Sequence, residues 1–339
     1  MVTMKELAKL CGFSRGTVDR ALNGRGRIKK ETADAIKRMA KEIGYEPNPA
    51  GKALSARRNH PTVAIILTSD GNAFFDEVMR GLQEAAADYA IYGLKVIYRT
   101  MRGYDAEKQC ALIEEVKDKV SAVILNPIDD PAVAAAINKL VAADKFVVAV
   151  NTDIKGSLRH AYVGTDYING GETACALLAA LNGENSNVGV VMGSKKVLGH
   201  RLRLEGFRRR QKGFNDLHIV EVIENEDDDI LSYERTGKLL KEHPNINSLF
   251  IVAGGVYGAG RAVMARPVEN RPLVIAFDSV PATIEMMRLG IIRAILYQHP
   301  YRQGHLSMDL AFEYLVNGRE PAKKEYILKN EIRLPENAV

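Results

Sequence analysis

Two arginines on one short predicted helix have the chemistry to bind DNA. Arg15 and Arg20 lie on the polar side of this helix, because helical spacing puts Val18 and Ala21 on its inner face. An arginine guanidinium can donate two parallel hydrogen bonds to guanine in the major groove. Thr17, near the helix start, is suited to a phosphate. A solvated surface charge is the ordinary interpretation of any single arginine, but two on this helix predict a DNA contact.

A second group of polar residues follows apolar runs that read as buried strands. Asn151 and Asp153 come after Phe146–Val150, and Asp278 directly follows Leu273–Phe277. Polar side chains at such positions are either solvated or functional. Carboxylates and amides there could bind the hydroxyl groups of a ligand. The same carboxylates could also serve acid–base catalysis, but binding proteins use these groups for hydroxyls.

Three predicted helices position the two arginines. Thr3 is suited to cap a first helix, which Gly12 ends in a tight turn. Ser14 can cap the second helix, which Asn23 and the following glycine end. A third amphipathic helix runs from about Lys30 to Ile43. This arrangement is the plan of a helix-turn-helix DNA-binding head.

Charge and composition narrow the function classes. The 339 residues are 46% hydrophobic and 26% charged, which excludes bulk disorder. Residues 1–60 carry a net charge of +8 and residues 61–339 a net charge of −3. The N-terminal head is therefore expected to bind a polyanion. The three cysteines are far apart, the seven histidines lack metal-ligand spacing, and no P-loop or dinucleotide fingerprint occurs. We therefore predict no metal and no cofactor.

The compartment is predicted from the same features. The N-terminal segment has an early acidic residue and no apolar core followed by a cleavage site, so we expect no secretory signal. No stretch approaches the roughly 18 uninterrupted apolar residues of a membrane span. The odd cysteine count fits a reducing compartment. We expect a cytoplasmic protein with no membrane partner.

Short apolar strands alternate with helices in two series after residue 61. The first series runs from Val63 to Val150, and the pattern restarts near Gly164 and continues to Phe277. Such alternation predicts two doubly wound parallel sheets. Two series predict two lobes, with a ligand in the cleft at the carboxyl ends of the strands. The predicted fold is an all-α head joined to an α/β body.

The head resembles the DNA-binding domain of the lactose-repressor (LacI/GalR) family of bacterial transcription regulators. The resemblance rests on KELAKLCGFSRGTVDRALNG and EIGYEPNPAGKAL. It implies base reading by Arg15, Gly16 and Arg20, and backbone contacts by Thr17 and Asn23. It also implies a hinge helix around residues 49–56 whose apolar wedge kinks the minor groove. The predicted DNA-binding residues are Thr3, Ser14, Arg15, Gly16, Thr17, Arg20, Asn23 and Leu54.

Two head positions depart from the family pattern. Gly16 supplies no side chain where many members present one, so readout there is weak or indirect. Pro49 and Gly51 lower the helix propensity of the hinge.

The body resembles the periplasmic sugar-binding-protein fold, through NAFFDEVMRGLQEAA, AVILNPIDDPAV, AVNTDIKG, YVGTDYINGG, GHRLRLEGF, IAFDSV and YQHPYRQG. The resemblance is nearest to binders of ribose-like monosaccharides. It implies ring stacking by Phe74 or Phe75, although either could instead begin a helix core. It matches Arg201 to the pocket arginine and leaves Arg203 on a solvated face. The predicted effector-binding residues are Asn72, Phe74, Phe75, Asn151, Asp153, Arg201, Tyr257, Asp278 and Gln298.

The second lobe also departs from the family pattern. Ala253-Gly254-Gly255 stands where sugar binders usually place Asn-Asp, so Tyr257 is expected to reach in instead. The acidic run Glu224–Asp229 replaces a loop that often supplies an aromatic. Most such runs are solvated, but Asp227 or Asp228 could face the cleft. His200 is expected to be a surface histidine.

The domain prediction is a head at 1–46, a hinge and linker at 47–60, and a body at 61–339. Within the body, the first lobe takes about 61–163 and 292–321, and the second about 164–291 and 322–339.

The predicted function is a ligand-controlled transcriptional repressor and not an enzyme. It would bind a pseudo-palindromic double-stranded operator as a homodimer, with a monosaccharide between the lobes controlling operator affinity. Two alternatives are a transport-type binding protein and a sugar-modifying enzyme with an accessory DNA-binding head. The basic head and the missing signal argue against the first, and turnover of a bound sugar would support the second.

Overall fold

The computed structural model describes residues 2–22, 28–45, 60–68, 70–182, 185–195 and 197–338. A small helical head precedes two α/β lobes. In chain order the helices are α1 (Met4–Cys11), α2 (Arg15–Leu22), α3 (Lys30–Glu42), α4 (Phe74–Asp88), α5 (Ala106–Val116), α6 (Pro131–Ala142), α7 (Tyr167–Asn182), α8 (Leu198–Gln211), α9 (Asp229–Glu242), α10 (Val256–Met264), α11 (Pro281–Arg288) and α12 (Pro300–Asn317). Among the described residues, no helix is long and apolar enough to cross a membrane.

The head is held by helix caps and a small core. The Thr3 hydroxyl accepts a hydrogen bond from the Glu6 amide, and the Glu6 carboxylate accepts one from the Thr3 amide at 2.7 Å. This reciprocal pair starts α1, and Gly12, with φ of +70°, ends it. The predicted helix-turn-helix arrangement is confirmed. The inner faces of the three helices share one buried core of Leu7, Ala8, Val18, Ala21, Ile36 and Ala40.

Each lobe is built on one sheet. The strands are β1 (Thr62–Leu67), β2 (Lys95–Thr100), β3 (Ala122–Leu125), β4 (Phe146–Asn151), β5 (Ala161–Thr165), β6 (Ser186–Met192), β7 (Leu217–Glu224), β8 (Ser248–Ile251), β9 (Leu273–Phe277), β10 (Ile292–Tyr297), β11 (Glu325–Leu328) and β12 (Glu331–Arg333). The first lobe has the order β11-β5-β4-β3-β1-β2 and the second β12-β10-β9-β8-β6-β7. Neighbouring strands are parallel except β12, which runs antiparallel to β10. The two predicted doubly wound lobes are confirmed.

The predicted division of the C-terminal segment between the lobes is wrong at two strands. The range 292–321 was assigned to the first lobe, but β10 pairs with β9 in the second sheet. The range 322–339 was assigned to the second lobe, but β11 pairs with β5 in the first sheet. The chain crosses between the sheets after β5, after β10 and after β11. Parallel partners far apart in sequence decide these positions, so local patterning cannot.

Glycines let helix pairs approach closely in both lobes. A Cβ atom on Gly304 of α12 would lie 2.0 Å from the Val78 carbonyl oxygen of α4. In the second lobe, a Cβ atom on Gly206 of α8 would lie 2.0 Å from the Ile168 carbonyl oxygen of α7. Only glycine fits such backbone contact. This contact fixes α8, which carries part of the site described below.

We predict that Gly304→Ala destabilises the protein by about 1–3 kcal/mol or more, because the added methyl group forces α4 and α12 apart. The matched control is Gly237→Ala in α9, where an added Cβ atom meets no neighbour within 4 Å. That change should stabilise by about 0.5–1 kcal/mol, since alanine loses less backbone entropy in a helix. Urea denaturation measures both. Equal effects of the two substitutions would contradict the close-contact interpretation.

Candidate functional site

A cavity of about 100 Å³ lies between the lobes, at the carboxyl ends of both sheets. Loops after β1, β2, β3 and β4 form its first-lobe wall, and the start of α8 and the loops after β7, β8, β9 and β10 form its second-lobe wall. This is the predicted location for a ligand in a parallel two-lobed fold. The described residues contain no group of three His, Cys, Asp or Glu side chains placed to hold a metal.

Two phenylalanines and an asparagine come from the turn after β1. Phe74 and Phe75 are buried, and their rings pack edge to face with centroids 5.2 Å apart. Asn72 also lines the cavity, and its Oδ1 accepts a hydrogen bond from the Phe74 amide at 3.0 Å. The two phenylalanines belong to the first-lobe core as well as to the cavity wall. The rings thus belong to the helix core and also border the cavity, where their stacking on a ligand stays a prediction.

Asn151 ends β4 in a left-handed conformation, with φ of +64°. Its carbonyl oxygen accepts hydrogen bonds from two buried tyrosine hydroxyls, Tyr162 at 2.8 Å and Tyr167 at 2.6 Å. Burial raises the pKa of both tyrosines, so the hydroxyls remain donors. Asparagine tolerates this conformation better than most residues. The two tyrosines thus fix the Asn151 backbone where its side chain lines the cavity.

Asp278 holds the equivalent position at the end of β9, also with φ of +64°. Its two carboxylate oxygens accept hydrogen bonds from Gln298 Nε2 at 3.0 and 2.9 Å. Burial raises the pKa of Asp278 to about 6, although the positive charge of Arg203 opposes the shift. The structure therefore places Asp278 and Gln298 together in the cavity wall, as the sequence predicted.

Arg203 is the arginine of the cavity, so its predicted solvated position is wrong. Its side chain is 4% exposed, and Nη1 donates to the Val252 carbonyl oxygen at 2.6 Å. The guanidinium carbon lies 3.8 Å from the ring centroid of Phe277. Burial lowers the pKa of Arg203 while Asp278 raises it, and the group remains charged at neutral pH. Nε is buried and has no partner within the described part of the chain, which leaves a donor for a ligand.

Arg201 does not line the cavity, contrary to the prediction. It is exposed, and its Nη2 lies 2.6 Å from Asp129 Oδ2 of the first lobe. Two residues apart on a helix means about 200° of rotation, so Arg201 and Arg203 face opposite ways. The inner face of α8 is marked by Leu204 and Phe207, which are buried. The spacing from these two residues puts Arg203 on the inner face, and the prediction of Arg201 did not use that signal.

Two other predicted cavity residues lie elsewhere. Asp153 forms an ion pair with Arg159 and caps the Ile154 amide at 2.8 Å, because the chain turns away from the cleft after Thr152. Tyr257 packs against the second-lobe core, since it lies on α10 beyond the turn at Gly255. Neither is among the residues that line the cavity.

The acidic run contributes one carboxylate to the cavity. Asp227 Oδ1 accepts a hydrogen bond from the Gly254 amide at 2.8 Å, and Oδ2 accepts one from the Tyr104 hydroxyl of the first lobe at 3.1 Å. Asp228 instead caps α9, accepting from the Ile230 amide at 2.9 Å. Of the two possibilities that the sequence left open, the structure places Asp227 in the cavity.

His200 is buried against the cavity, so its predicted surface position is wrong. Its Nδ1 accepts a hydrogen bond from the Ser194 amide at 3.1 Å. Burial lowers the pKa of His200 to about 4, so the ring is neutral at physiological pH. The hydrophobic face that carries Arg203 also carries His200, and a helical count from Phe207 would have found both.

The predicted DNA-reading helix is α2. Arg15, Gly16 and Arg20 are exposed, while Val18 is buried in the head core. Ser14 caps α2, and its hydroxyl lies 2.9 Å from that of Thr17. Thr3 is the cap of α1. Asn23, Leu54 and the predicted hinge helix lie outside the described residues.

Comparison with known proteins gives matches over both parts of the chain. Residues 63–320 match the family described as periplasmic binding protein domain, and residues 3–48 match the lacI family of bacterial regulatory proteins. Catabolite control protein A of Staphylococcus epidermidis is 25% identical, over 98% of this chain and 97% of that protein. The ribose operon repressor of Halalkalibacterium halodurans is 25% identical, over 83% of this chain and 81% of that protein. The crystal structure of GanP, a glucose-galactose binding protein from Geobacillus stearothermophilus, superposes with a TM-score of 0.75 at 23% identity, over 82% of this chain and 98% of that one.

Proposed function

Because the chain belongs to the periplasmic-binding-protein domain family and carries a lacI-family DNA-binding domain at its N-terminus, we propose that it is a transcriptional repressor whose operator affinity is controlled by a monosaccharide. One observation carries the proposal. A helix that exposes Arg15 and Arg20 occurs in the same chain as a cavity between two lobes that is lined by polar and aromatic side chains. The curated relatives named above are regulators and not enzymes, which favours regulation over catalysis.

The composition of the cavity supports a sugar effector. A monosaccharide presents apolar ring faces and a rim of hydroxyls. The rings of Phe74 and Phe75 suit the faces, and Asn151, Arg203 and Asp278 offer donors and acceptors for the rim. A cavity of about 100 Å³ has the size expected for one small molecule.

The lobes offer a route from ligand to DNA. The ion pair between Arg201 and Asp129 and the hydrogen bond between Tyr104 and Asp227 join the two lobes. A ligand that contacts both walls favours this closed arrangement over an open one. Closure then shifts the balance between head arrangements by the difference in ligand affinity between the two states.

We also propose a homodimer acting in the cytoplasm, where the operator is. One short helix reads few bases, so two heads on a pseudo-palindromic site supply the missing contacts. On α9 of the second lobe, Ile230 is 71% and Tyr233 48% exposed, and one apolar patch on each copy is suited to a twofold interface.

A ligand screen on the purified full-length protein tests the effector class. The panel is D-ribose, D-xylose, D-allose, D-galactose and myo-inositol, each followed by thermal unfolding. A sugar at 100 times its dissociation constant should stabilise the protein by about 2.7 kcal/mol. Stabilisation by a monosaccharide supports the proposal, and the absence of any shift across the panel contradicts the sugar effector.

Effector affinity should fall at acid pH, because a sugar hydroxyl donates to the ionised form of Asp278. With the pKa of Asp278 at about 6, affinity is fully present above that pH and is lost progressively as pH falls through it. Calorimetric titration at about pH 7.5 and about pH 5 measures the change, which should total about tenfold and fall mostly below pH 6. Asp278→Asn should bind weakly at every pH, with no step near pH 6. A wild-type affinity that is flat across this range would contradict the assignment.

The pH dependence of the free energy of unfolding reports the titration of Asp278 less clearly than effector affinity does. The raised pKa of Asp278, about 6, gives stability that is present at low pH and lost as pH rises through about 6. The lowered pKa of His200, about 4, gives stability that is present above the ordinary histidine pKa and lost as pH falls toward 4. The two trends oppose each other in one window, so the free energy of unfolding should change little there.

A further inference from the structure

Asp227 fills space that two glycines leave open in the second-lobe wall. A Cβ atom on Gly193 would lie 2.2 Å from Asp227 Oδ1, and one on Gly254 would lie 2.9 Å from Asp227 Cβ. The Gly254 amide donates to Asp227 Oδ1 at 2.8 Å. Ala253-Gly254, after the end of β8, brings no polar side chain to the cavity. The Asp227 carboxylate, from the loop after β7, lies there instead.

The Asp227 backbone is fixed in an uncommon conformation. Its φ is +58°, and its amide donates to Asn225 Oδ1 at 3.0 Å. Asn225 is fully buried, and its Nδ2 donates to Ser232 Oγ at 3.1 Å and to the Gly254 carbonyl oxygen at 2.9 Å. This network ties the loop that carries Asp227 to the start of α9 and to the end of β8. Strained residues that are so tightly held occur preferentially at functional sites.

Asp227 also meets the opposite lobe. The Tyr104 hydroxyl donates to its Oδ2 at 3.1 Å. Desolvation of this hydroxyl is the larger cause and the negative charge of Asp227 the smaller cause of a raised pKa of Tyr104. The hydroxyl therefore stays protonated and donates at physiological pH. Two carboxylate oxygens offer about four acceptor positions. The Gly254 amide and the Tyr104 hydroxyl use two of these positions, so the Asp227 carboxylate can still accept a hydrogen bond from a ligand.

The charges around the cavity favour one class of ligand over another. Among the described residues that line it, Arg203 is the cation, Asp227 and Asp278 are the acids, and His200 is neutral. Arg203 interacts with the charge of Asp278 and also with that of Asp227, so one described cation serves two carboxylates. Within the described part of the chain, no second cation lines the cavity, so a carboxylate or phosphate on the ligand would be repelled by Asp227 without compensation.

We propose that Asp227 is a specificity-determining residue of the effector site: it accepts a hydrogen bond from a hydroxyl or ammonium group of the ligand, bonds Tyr104 when the lobes close, and excludes sugar acids and sugar phosphates. The inference rests on the proposed function, because it concerns the ligand class of the same cavity.

Calorimetric titration of the full-length protein with matched ligands tests this inference. The probes are D-glucose, D-glucosamine and D-glucuronate, together with D-ribose and D-ribose 5-phosphate. Wild type should bind a neutral or amine-bearing member at least about tenfold tighter than its anionic analogue. Asp227→Asn should weaken binding of the neutral sugar by about tenfold or more and reduce discrimination against the anionic analogue. Glu226→Gln, a control that removes the exposed neighbouring carboxylate, should change neither value.

Two results would overturn the inference. One is wild-type binding of an anionic sugar as tight as that of its neutral analogue. The other is an Asp227→Asn variant with unchanged discrimination. If no probe binds wild type, the monosaccharide proposal fails, and small-angle scattering of the ligand-free protein then decides whether Asp227 acts between the lobes.

In that scattering experiment Asp227→Asn and Tyr104→Phe should each increase the radius of gyration, and the double variant should add little to either. Glu226→Gln should leave it unchanged. Tyr104→Phe keeps the test available if Asp227→Asn does not fold, because the Tyr104 ring is 42% exposed. A radius of gyration unaffected by both substitutions would overturn the inference independently of any ligand.

Discussion

Replacing Arg203 with methionine should abolish effector binding, whereas the same substitution at Arg201 should change effector affinity by only a few-fold. Arg203 is buried beside Asp278 and carries a donor without a partner in the described chain, so its loss removes a cation and a ligand contact together. Losing a buried charged hydrogen-bond partner at a binding interface costs about 2–5 kcal/mol, which corresponds to a loss in affinity of about 30-fold or more. Arg201 is a matched control because it lies on the same helix with an exposed ion pair.

The measurement is calorimetric titration of both variants with the sugar identified by the thermal screen. Circular dichroism and a cooperative thermal unfolding transition serve as the control for folding, because they report on the two lobes directly. Arg203→Met should also be less stable than wild type, since Asp278 then lacks its compensating charge. Strong binding by Arg203→Met together with a loss in Arg201→Met would show that the resemblance, and not the structure, had identified the correct arginine.

Replacing Arg20 with alanine should weaken operator binding by about 5- to 150-fold, because a bidentate contact with guanine contributes about 1–3 kcal/mol of discrimination. Arg20 is exposed on α2, on the side away from the buried Val18 and Ala21. Arg15→Ala should have an effect of the same kind. Arg38, exposed on α3, is the matched control. Its loss should weaken binding to operator and to random DNA by the same small factor.

Fluorescence anisotropy with an operator selected from random-sequence DNA measures these affinities at one fixed salt concentration. The ratio of operator to random-DNA affinity is the decisive quantity, because it separates base reading from general phosphate attraction. If Arg20→Ala lowers both affinities equally, Arg20 contacts the phosphate backbone. If Arg38→Ala reduces the ratio as much as Arg20→Ala does, α2 is not the reading helix.

The helices and strands that are determined by residues close together in the chain could be predicted from the sequence. The head is set by caps and by 3.6-residue apolar spacing, so α1, α2 and α3 follow from Thr3, Gly12 and the run after Lys30. The strand β9 was predicted to the residue, because it is a buried apolar run ended by a polar residue. Polar residues directly after such strands, Asn151 and Asp278, do line the cavity.

Elements whose position depends on distant partners could not be predicted. The assignment of β10 and β11 to lobes depends on pairing with β9 and β5, which no local pattern encodes. The choice between Arg201 and Arg203 is different, because the apolar spacing of Leu204 and Phe207 marks the inner face of α8 in the sequence itself. Asp227 occupies space left by Gly193 and Gly254, which lie 34 and 27 residues away in the chain and come together only in the folded lobe.

The central claim is that a small ligand in the cleft controls DNA binding by the head. It is tested most directly by titrating full-length protein onto its selected operator with and without the stabilising sugar, at fixed salt. The account predicts that the sugar changes operator affinity by about 5- to 150-fold, and that Arg203→Met binds the operator but no longer responds. Operator affinity that is the same with and without a sugar bound in the cavity would contradict it.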